Sequence, residues 1–239
     1  MYLSRLVLNP RSRQVWHDLT DCQSLHRSVL AAFPLATGGN GTRDEFGVLY
    51  RLEPSRRGSA PVLLVQSRVA PEWGRLPSDY LAPSTSARNP STTSLKPFLE
   101  SIQAGEILRF RLRANPTRKV DTKSRTTGER RNGRRVKLKT EAEQVAWLRR
   151  KAAEGSFEVL TVRTAASAAA VDVIDERQLT GWRPAADGPA RRLTFGAVLF
   201  EGHLRVADPE QFRRAIEHGL GSAKAYGFGL LSVGRDGAV

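Results

Sequence analysis

The sequence is short of several residue types, and each shortage excludes a class of protein. Cys22 is the only cysteine among 239 residues, which excludes an internal disulfide and a cysteine-based zinc site and favours a reducing cytoplasm. No apolar run approaches the roughly 18 residues that a membrane-spanning helix needs. The strand-like start of the chain indicates no secretion signal. These shortages favour a globular protein with no membrane partner.

Acidic residues are also few, since 24 Asp and Glu stand against 38 Lys and Arg, for a formal net charge of +14. The excess is concentrated between residues 109 and 139, where thirteen basic and two acidic residues give a net charge of +11. Such clustering is typical of a polyanion-binding surface. The alternative is a solvated loop of a basic protein. An anionic membrane is disfavoured because the segment lacks the apolar face of an amphipathic helix.

Apolar periodicity predicts the same layout in both halves of the chain. From Gly105 onward the order is strand, helix, strand, strand, helix, strand, with helices that begin at Thr140 and Asp208 and a last strand in "FGLLSV". This order is the split βαβ, ferredoxin-like arrangement. Residues 1–92 repeat its first half, with one helix predicted over 20–33. We therefore predict an α+β fold of two tandem ferredoxin-like (RRM-like, βαββαβ) domains, residues 1–92 and 93–239.

Three further segments are distinctive: two carry much of the basic charge, and one interrupts the pattern of strands and helices. In "GEILRFRLRANP" the alternation predicts a strand with Ile107, Phe110 and Leu112 on the apolar side and a row of arginines on the other. The next residues, "TRKVDTKSRTTGERRNGRR", are almost devoid of apolar side chains, so we expect them to stay unstructured until a ligand arrives. "APSTSARNPSTTS" is typical of a linker or long loop.

Two features near the ends of the chain suggest chemistry. The segment "GLGSAKAYGFGLLSV" holds Gly219, Gly221, Gly227 and Gly229, which let a backbone approach a partner closely. That partner is an RNA backbone, a neighbouring strand or the other domain. Histidine is the side chain best suited to proton exchange near neutral pH, and the four histidines and the acidic residues show no metal-ligand spacing. We predict His17 in a loop, His203 at a turn and His218 at a helix end.

Together these segments identify the chain as similar to the CasE family, the CRISPR-RNA endoribonuclease subunit of the type I-E Cascade complex. The resemblance rests on "YLSRLVLNP", His26, "LYRLEP", "LRFRLRANP", "VKLKTEAEQVAWL" and "AVLFEGHLRVADPE", together with the C-terminal pattern G-φ-G-x₅-G-φ-G, where φ is apolar. It implies a metal-independent, cofactor-free nuclease that cuts a repeat stem-loop in precursor CRISPR RNA. The cut lies at the 3′ base of the stem. It also implies that the protein keeps its product and has other Cascade subunits as partners.

The resemblance assigns the catalytic role to His26, with one departure from the family pattern. Many members have a tyrosine three residues before that histidine, where this chain has Gln23. A glutamine can hydrogen-bond a phosphate or 2′-OH but cannot exchange a proton usefully. Either His26 works with another partner or turnover is slow. A non-catalytic hairpin-binding subunit is the second hypothesis.

The residues assigned to RNA are basic. Arg27 and Lys224 are candidates for charge stabilisation, and Arg27 is equally consistent with a solvated helix position. Tyr226 is a candidate packing aromatic. Because aromatic residues make up only 7% of the chain, stacking on single-stranded bases is expected to be secondary. The collective RNA-contact set is Arg111, Arg113, Arg118, Lys119, Arg134, Arg135, Lys137 and Lys139.

Overall fold

The computed structural model describes residues 1–39, 41–53, 58–83, 88–123, 130–160, 171–183 and 188–236. For residues 121–123, 130–134, 171–172 and 175–177 it describes the backbone alone. The described chain forms two antiparallel sheets with helices packed on them, and a separate two-stranded hairpin. No helix in the described part is long and apolar enough to cross a membrane.

The first sheet has the strand order β2–β3–β1–β4, with every pair antiparallel. Two main helices and a shorter one connect β1 to β2, and they bury side chains such as Leu25 and Val29 against Leu6 and Val65 of the sheet. The elements are β1 (Tyr2–Val7), α1 (Arg13–Thr20), α2 (Cys22–Leu30), α3 (Gly41–Glu45), β2 (Leu49–Leu52), β3 (Val62–Ser67) and β4 (Ser91–Ser94).

The single helix predicted over 20–33 is two helices. Asp21 separates them, and its carboxylate accepts the backbone N–H groups of Gln23 and Ser24 at 2.8 and 3.2 Å, which caps the start of α2. The sequence analysis missed α1 because it buries only two of its side chains, and His17 lies on this helix instead of in a loop.

The serine- and threonine-rich stretch is not only a loop. Its last residues form β4, an edge strand that pairs with β1, and the hydroxyls of Ser4 and Thr92 lie 2.8 Å apart. All four side chains of β4 are exposed, so the strand has no apolar alternation for the sequence to display. The predicted domain boundary at residue 92 falls within β4, and the division into domains stays a prediction.

The second sheet has the order β11–β5–β10–β8, and β9 pairs with β10 along the same side as β8. Each sheet thus places its four strands in the 4-1-3-2 order of a βαββαβ unit, which confirms the predicted fold class. The elements are α4 (Lys96–Glu100), β5 (Ile107–Ala114), α5 (Glu141–Glu154), β8 (Phe157–Val159), β9 (Val171–Arg183), β10 (Arg191–Val206), α6 (Pro209–His218) and β11 (Leu231–Gly234).

Local signals in this half are confirmed at both helices. Thr140 and Glu143 form a capping box at the start of α5, and the carboxylate of Asp208 accepts two backbone N–H groups at the start of α6. Two details differ from the prediction. His203 lies within β10, and the buried residues of β5 are Leu108, Phe110, Leu112 and Ala114, while Ile107 is 47% exposed. Strand alternation puts residue 107 on the opposite face from residue 110.

The basic segment expected to be unstructured forms a hairpin, so that prediction is wrong for its described residues. Strand β6 (Thr117–Lys123) pairs antiparallel with β7 (Arg130–Lys137), and residues 124–129 lie outside the described chain. Backbone pairing joins the two strands, although the segment has few apolar side chains. Its base is fixed by the N–H of Leu138, which donates to the carbonyl of Pro116 at 3.0 Å.

The glycine-rich segment joins the two sheets. The hydroxyl of Tyr50 on β2 donates to the carbonyl of Ala225 at 2.7 Å. Arg51, which is 2% exposed, donates from Nη1 to the carbonyls of Arg111 and Leu230 at 3.1 and 3.2 Å. On β3, Nε2 of Gln66 donates to the carbonyl of Ile216 at 2.9 Å. Docking against the other half of the chain is therefore an observed role of this segment.

Gly219 is the tightest point of this docking. Its φ is +72°, and a Cβ at this position would lie 2.7 Å from Cδ1 of Leu49 and 2.8 Å from the carbonyl oxygen of Gly229.

We expect Gly219→Ala to lower the free energy of unfolding by about 1–3 kcal/mol through strain and overpacking, measured by urea denaturation. Gly74→Ala is the control because that glycine has no neighbour within 4 Å and no positive φ. Equal stability of the two variants would contradict this account of the docking.

Candidate active site

His26 lies on α2 and faces the glycine-rich segment of the other sheet. Its ring centroid is 5.8 Å from that of Tyr226, with the two planes tilted by 58°. The imidazole is half-buried, and its Nδ1 has no hydrogen-bond partner among the described residues. A buried ring nitrogen without a partner costs free energy, and a catalytic role is one explanation for its presence. This geometry makes His26 the centre of the candidate site.

Tyr226 connects the glycine-rich segment to α2. Its hydroxyl donates to Oε1 of Gln23 at 3.1 Å, and its ring stacks on Phe195 of β10 with centroids 4.8 Å apart. Gln23 lies three positions before His26, so the two side chains share one face of the helix. The ring of Tyr226 packs as the sequence analysis expects, but its hydroxyl also makes a hydrogen bond that the sequence analysis did not predict. The structure therefore brings Gln23, His26 and Tyr226 together.

The surroundings of His26 keep its imidazole neutral. Burial, together with the charges of Arg43 and Arg183, lowers the pKa of His26 to about 4, while the backbone carbonyl of Ala225 acts in the opposite direction. An imidazole with such a pKa carries no proton at neutral pH on its second nitrogen. It is therefore in the form that can accept a proton.

Two cations act on the imidazole, and a third lies in the turn that faces it. Lys224 lies in the 3₁₀ turn Lys224–Tyr226, and its pKa is lowered by burial and by the charges of Arg43 and Lys151. Arg43 on α3 is half-buried and forms an ion pair with Asp44. Arg43 thus acts on both His26 and Lys224, and Arg183 of β9 acts on His26. The sequence analysis included Lys224 but missed Arg43 and Arg183, because neither belongs to a motif and only the fold brings them to α2.

Close packing of β9 on α2 places Arg183. A Cβ on Gly181 would lie 2.7 Å from Sγ of Cys22 and 3.1 Å from the backbone nitrogen of Gln23. Residues 181 and 183 point to the same side of the strand. The same packing buries Cys22, and burial raises the pKa of its thiol to about 11. The lone cysteine is thus a packing residue next to the site.

Two of the arginines assigned to RNA are engaged within the protein. Arg111 forms ion pairs with Glu53 and Glu201, and Arg51 pairs with the same Glu53 at 2.6 Å. The guanidinium of Arg113 lies 5.2 Å from the ring centroid of Phe228. Their RNA contact stays a prediction, and a phosphate that binds Arg111 has to compete with two carboxylates.

The remaining basic residues of the set lie mostly on the hairpin. Arg118, Lys119 and Arg135 are exposed, and Lys119 is directly opposite Arg135 in the pairing register. Like charges in this position repel each other. Lys137 packs over Gly196 of β10, Lys139 is exposed before α5, Arg27 is exposed on α2, and the side chain of Arg134 lies outside the described residues.

The other three histidines lie elsewhere in the fold. His17 is exposed on α1, Nε2 of His203 lies 3.3 Å from a carboxylate oxygen of Asp236, and Nδ1 of His218 lies 2.8 Å from the carbonyl of Arg214. Across the described residues, no three His, Cys, Asp or Glu side chains are placed to hold a metal ion together.

Comparison of the sequence with known proteins assigns the chain to a family. The sequence profile described as "CRISPR associated protein" matches residues 1–235. The chain belongs to this family. Members include the CRISPR-associated endoribonuclease Cse3 of Thermus thermophilus, 37% identical over 235 residues, or 98% of this chain and 99% of that protein. The Cascade subunit CasE of Escherichia coli is 32% identical over 98% of each chain.

Solved structures of the family have the same fold. A structure of CRISPR endoribonuclease Cse3 bound to a 19-nucleotide RNA superposes with a TM-score of 0.76 and 36% identity, covering 97% of this chain and 98% of that one. The CRISPR-associated protein Cas6e from Escherichia coli gives a TM-score of 0.65 and 27% identity, covering 98% of this chain and 100% of that one. The likeness extends over both sheets.

The pKa of His26 is directly measurable. In histidine-labelled protein without RNA, we expect the NMR signal that His26→Ala removes to titrate near pH 4. Because the unfolded imidazole takes up its proton near pH 6.5, the folded state should lose stability as the pH falls from about 6.5 to about 4. His26→Ala should lack this loss. Titration of the signal above pH 6 would contradict the burial and charge arguments.

Proposed function

We propose that this chain is a metal-independent endoribonuclease that cleaves the repeat stem-loop of precursor CRISPR RNA and keeps the mature hairpin as a Cascade subunit. Support for the activity comes from the relative named an endoribonuclease, which matches this chain from end to end. Support for the assembly comes from the relative named a Cascade subunit. The lone buried thiol suits the reducing cytoplasm, which we propose as the location.

The observation that carries the proposal is a neutral imidazole on which two cations act, with a third cation in the facing turn. RNA supplies its own nucleophile, the 2′-OH beside each phosphate, so the enzyme has to orient it, remove its proton and stabilise the charge of the phosphorane. His26 accepts the 2′-OH proton because its pKa keeps it neutral. Arg43, Arg183 and Lys224 offer positive charge before the reaction begins, which is the most effective arrangement for stabilising a transition state.

Substrate binding follows from the hairpin β6–β7. Double-stranded RNA displays phosphates and shape more than base edges. The exposed cations Arg118, Lys119 and Arg135 fit such a ligand, and a phosphate between Lys119 and Arg135 removes the repulsion between them. Lys139 and Arg27 are exposed as well, and we assign them to the same ligand together with the rest of the predicted set. Direct RNA contact by the glycine-rich segment stays open beside its docking role.

A non-catalytic hairpin-binding subunit is the second candidate, and Gln23 favours it. The side chain of Gln23 accepts the hydroxyl of Tyr226 but cannot itself exchange a proton usefully. Cleavage in EDTA separates the two candidates. The nuclease yields two fragments, of which the upstream one ends in a 2′,3′-cyclic phosphate, whereas the binding subunit shifts intact RNA in a gel.

Replacement of His26 tests the catalytic assignment. We expect His26→Ala to reduce single-turnover cleavage of a repeat hairpin in EDTA by at least about 10²-fold, with affinity for a 2′-deoxy hairpin changed by less than about threefold. His17→Ala is the matched control because His17 is exposed on α1. Normal cleavage by His26→Ala would contradict the assignment of His26 as the catalytic residue.

Removal of opposed charges tests the hairpin. The double variant Lys119→Ala with Arg135→Ala should bind the repeat hairpin about tenfold or more weakly and lower the slope of log K against log salt by about 2, since each lost phosphate contact lowers it by about 1. Filter binding at several salt concentrations measures both quantities. Lys96→Ala with Arg13→Ala removes two exposed charges outside the hairpin and should leave the slope near that of the wild type. Equal slopes for the two double variants would contradict the proposed role of the hairpin in RNA binding.

A further inference from the structure

The proposed reaction needs a proton donor as well as a base, and a neutral imidazole supplies only the base at the outset. The 5′-oxygen leaves as an alkoxide unless a nearby group protonates it. Arg43 and Arg183 cannot lose a proton readily. Gln23 has no proton to exchange. Lys224 and Tyr226 remain as groups that can give up a proton. Among the described contacts, Tyr226 adjoins the imidazole, with ring centroids 5.8 Å apart, and none joins Lys224 to His26. The hydroxyl of Tyr226 therefore suits the donor role.

The hydroxyl of Tyr226 is held in place from several directions. Its ring stacks on Phe195, and its hydroxyl donates to Gln23 on the same helix face as His26. The backbone N–H of Tyr226 donates to the carbonyl of Ala223 at 2.9 Å. The neighbouring carbonyl of Ala225 accepts the hydroxyl of Tyr50 at 2.7 Å. A donor fixed on rigid elements meets the geometric demand of proton transfer.

The protonation states of the two groups are complementary. Burial raises the pKa of Tyr226, the charge of Arg183 lowers it, and the net direction is upward, so the phenol is protonated at neutral pH. The pKa of His26 is lowered, so the imidazole is free to accept a proton. Two groups whose environments drive their pKa values apart are the usual arrangement of an acid and a base.

We propose that Tyr226 is the general acid of the cleavage, an inference that rests on the proposed nuclease function. The 2′-oxygen forms its bond to phosphorus and gives its proton to His26. The bond from phosphorus to the 5′-oxygen breaks, and that oxygen takes the hydroxyl proton of Tyr226. The imidazolium then returns a proton to the phenolate, so no net proton is gained or lost. Gln23 acts as a positioning residue that holds the hydroxyl beside His26 before RNA binds.

The assignment is tested with Tyr226→Phe and two versions of a repeat hairpin that the wild type cleaves. One carries the natural 5′-oxygen at the cut site and the other a 5′-bridging sulfur, which leaves as a thiolate and needs no donor because a thiol has a pKa of about 8.5. On the oxygen substrate, Tyr226→Phe should cleave about 10²–10⁴-fold more slowly than the wild type. On the sulfur substrate it should come within about fivefold. Affinity for a 2′-deoxy hairpin should stay within about threefold.

Two control variants make the outcome specific. His26→Ala should be slow on both substrates because the base is still missing, and Tyr2→Phe, on β1, should match the wild type on both. Wild-type rates for Tyr226→Phe on the oxygen substrate, or an equal loss on the two substrates, would overturn the assignment while leaving the nuclease function intact. Failure of the wild type to cleave either substrate would instead overturn the proposed function itself.

Discussion

The docking of β2 on the glycine-rich segment is the contact on which the candidate site depends. Tyr50 holds the carbonyl of Ala225, Arg51 holds that of Leu230, and Gly219 lies against Leu49 without room for a side chain. His26 and Arg43 come from the first half of the chain, whereas Lys224, Tyr226 and Arg183 come from the second. Without this docking, the imidazole would keep neither Tyr226 as its aromatic neighbour nor the charge of Arg183.

Charge repulsion is built into both parts of the surface that we assign to RNA. Arg43 and Arg183 act on one half-buried imidazole, Arg43 also acts on Lys224, and Lys119 opposes Arg135 on the hairpin. In the free protein these arrangements cost stability, because like charges at short range repel, most strongly where water is excluded. A polyphosphate ligand reverses the sign of that interaction. Electrostatic attraction to phosphate therefore favours RNA binding at the hairpin, and it also stabilises the negative charge that develops beside His26.

The sequence predicted those features of the fold that depend on residues close together in the chain. The capping box of Thr140, the cap at Asp208 and the order of strands and helices are local or periodic signals, and His26 was assigned through a family resemblance. The sequence could not predict β4, whose side chains are all exposed, or the hairpin, whose strands are held by backbone bonds. The sequence also could not predict which side chains surround His26, because 203 positions separate Gln23 from its partner Tyr226. Arg43 and Arg183 join the site only through the packing of α3 and β9.

The contact between Gly181 and Cys22 has a consequence for how this chain can diverge. The sulfur occupies the space that a methyl group on residue 181 would need, so the two positions share one small volume. A Cβ there would also lie 2.8 Å from the capping carboxylate of Asp21 and 3.1 Å from the backbone nitrogen of Gln23, so a larger residue at 181 would lift β9 away and take Arg183 with it. Homologues that retain an arginine at the end of this strand should therefore keep glycine at position 181.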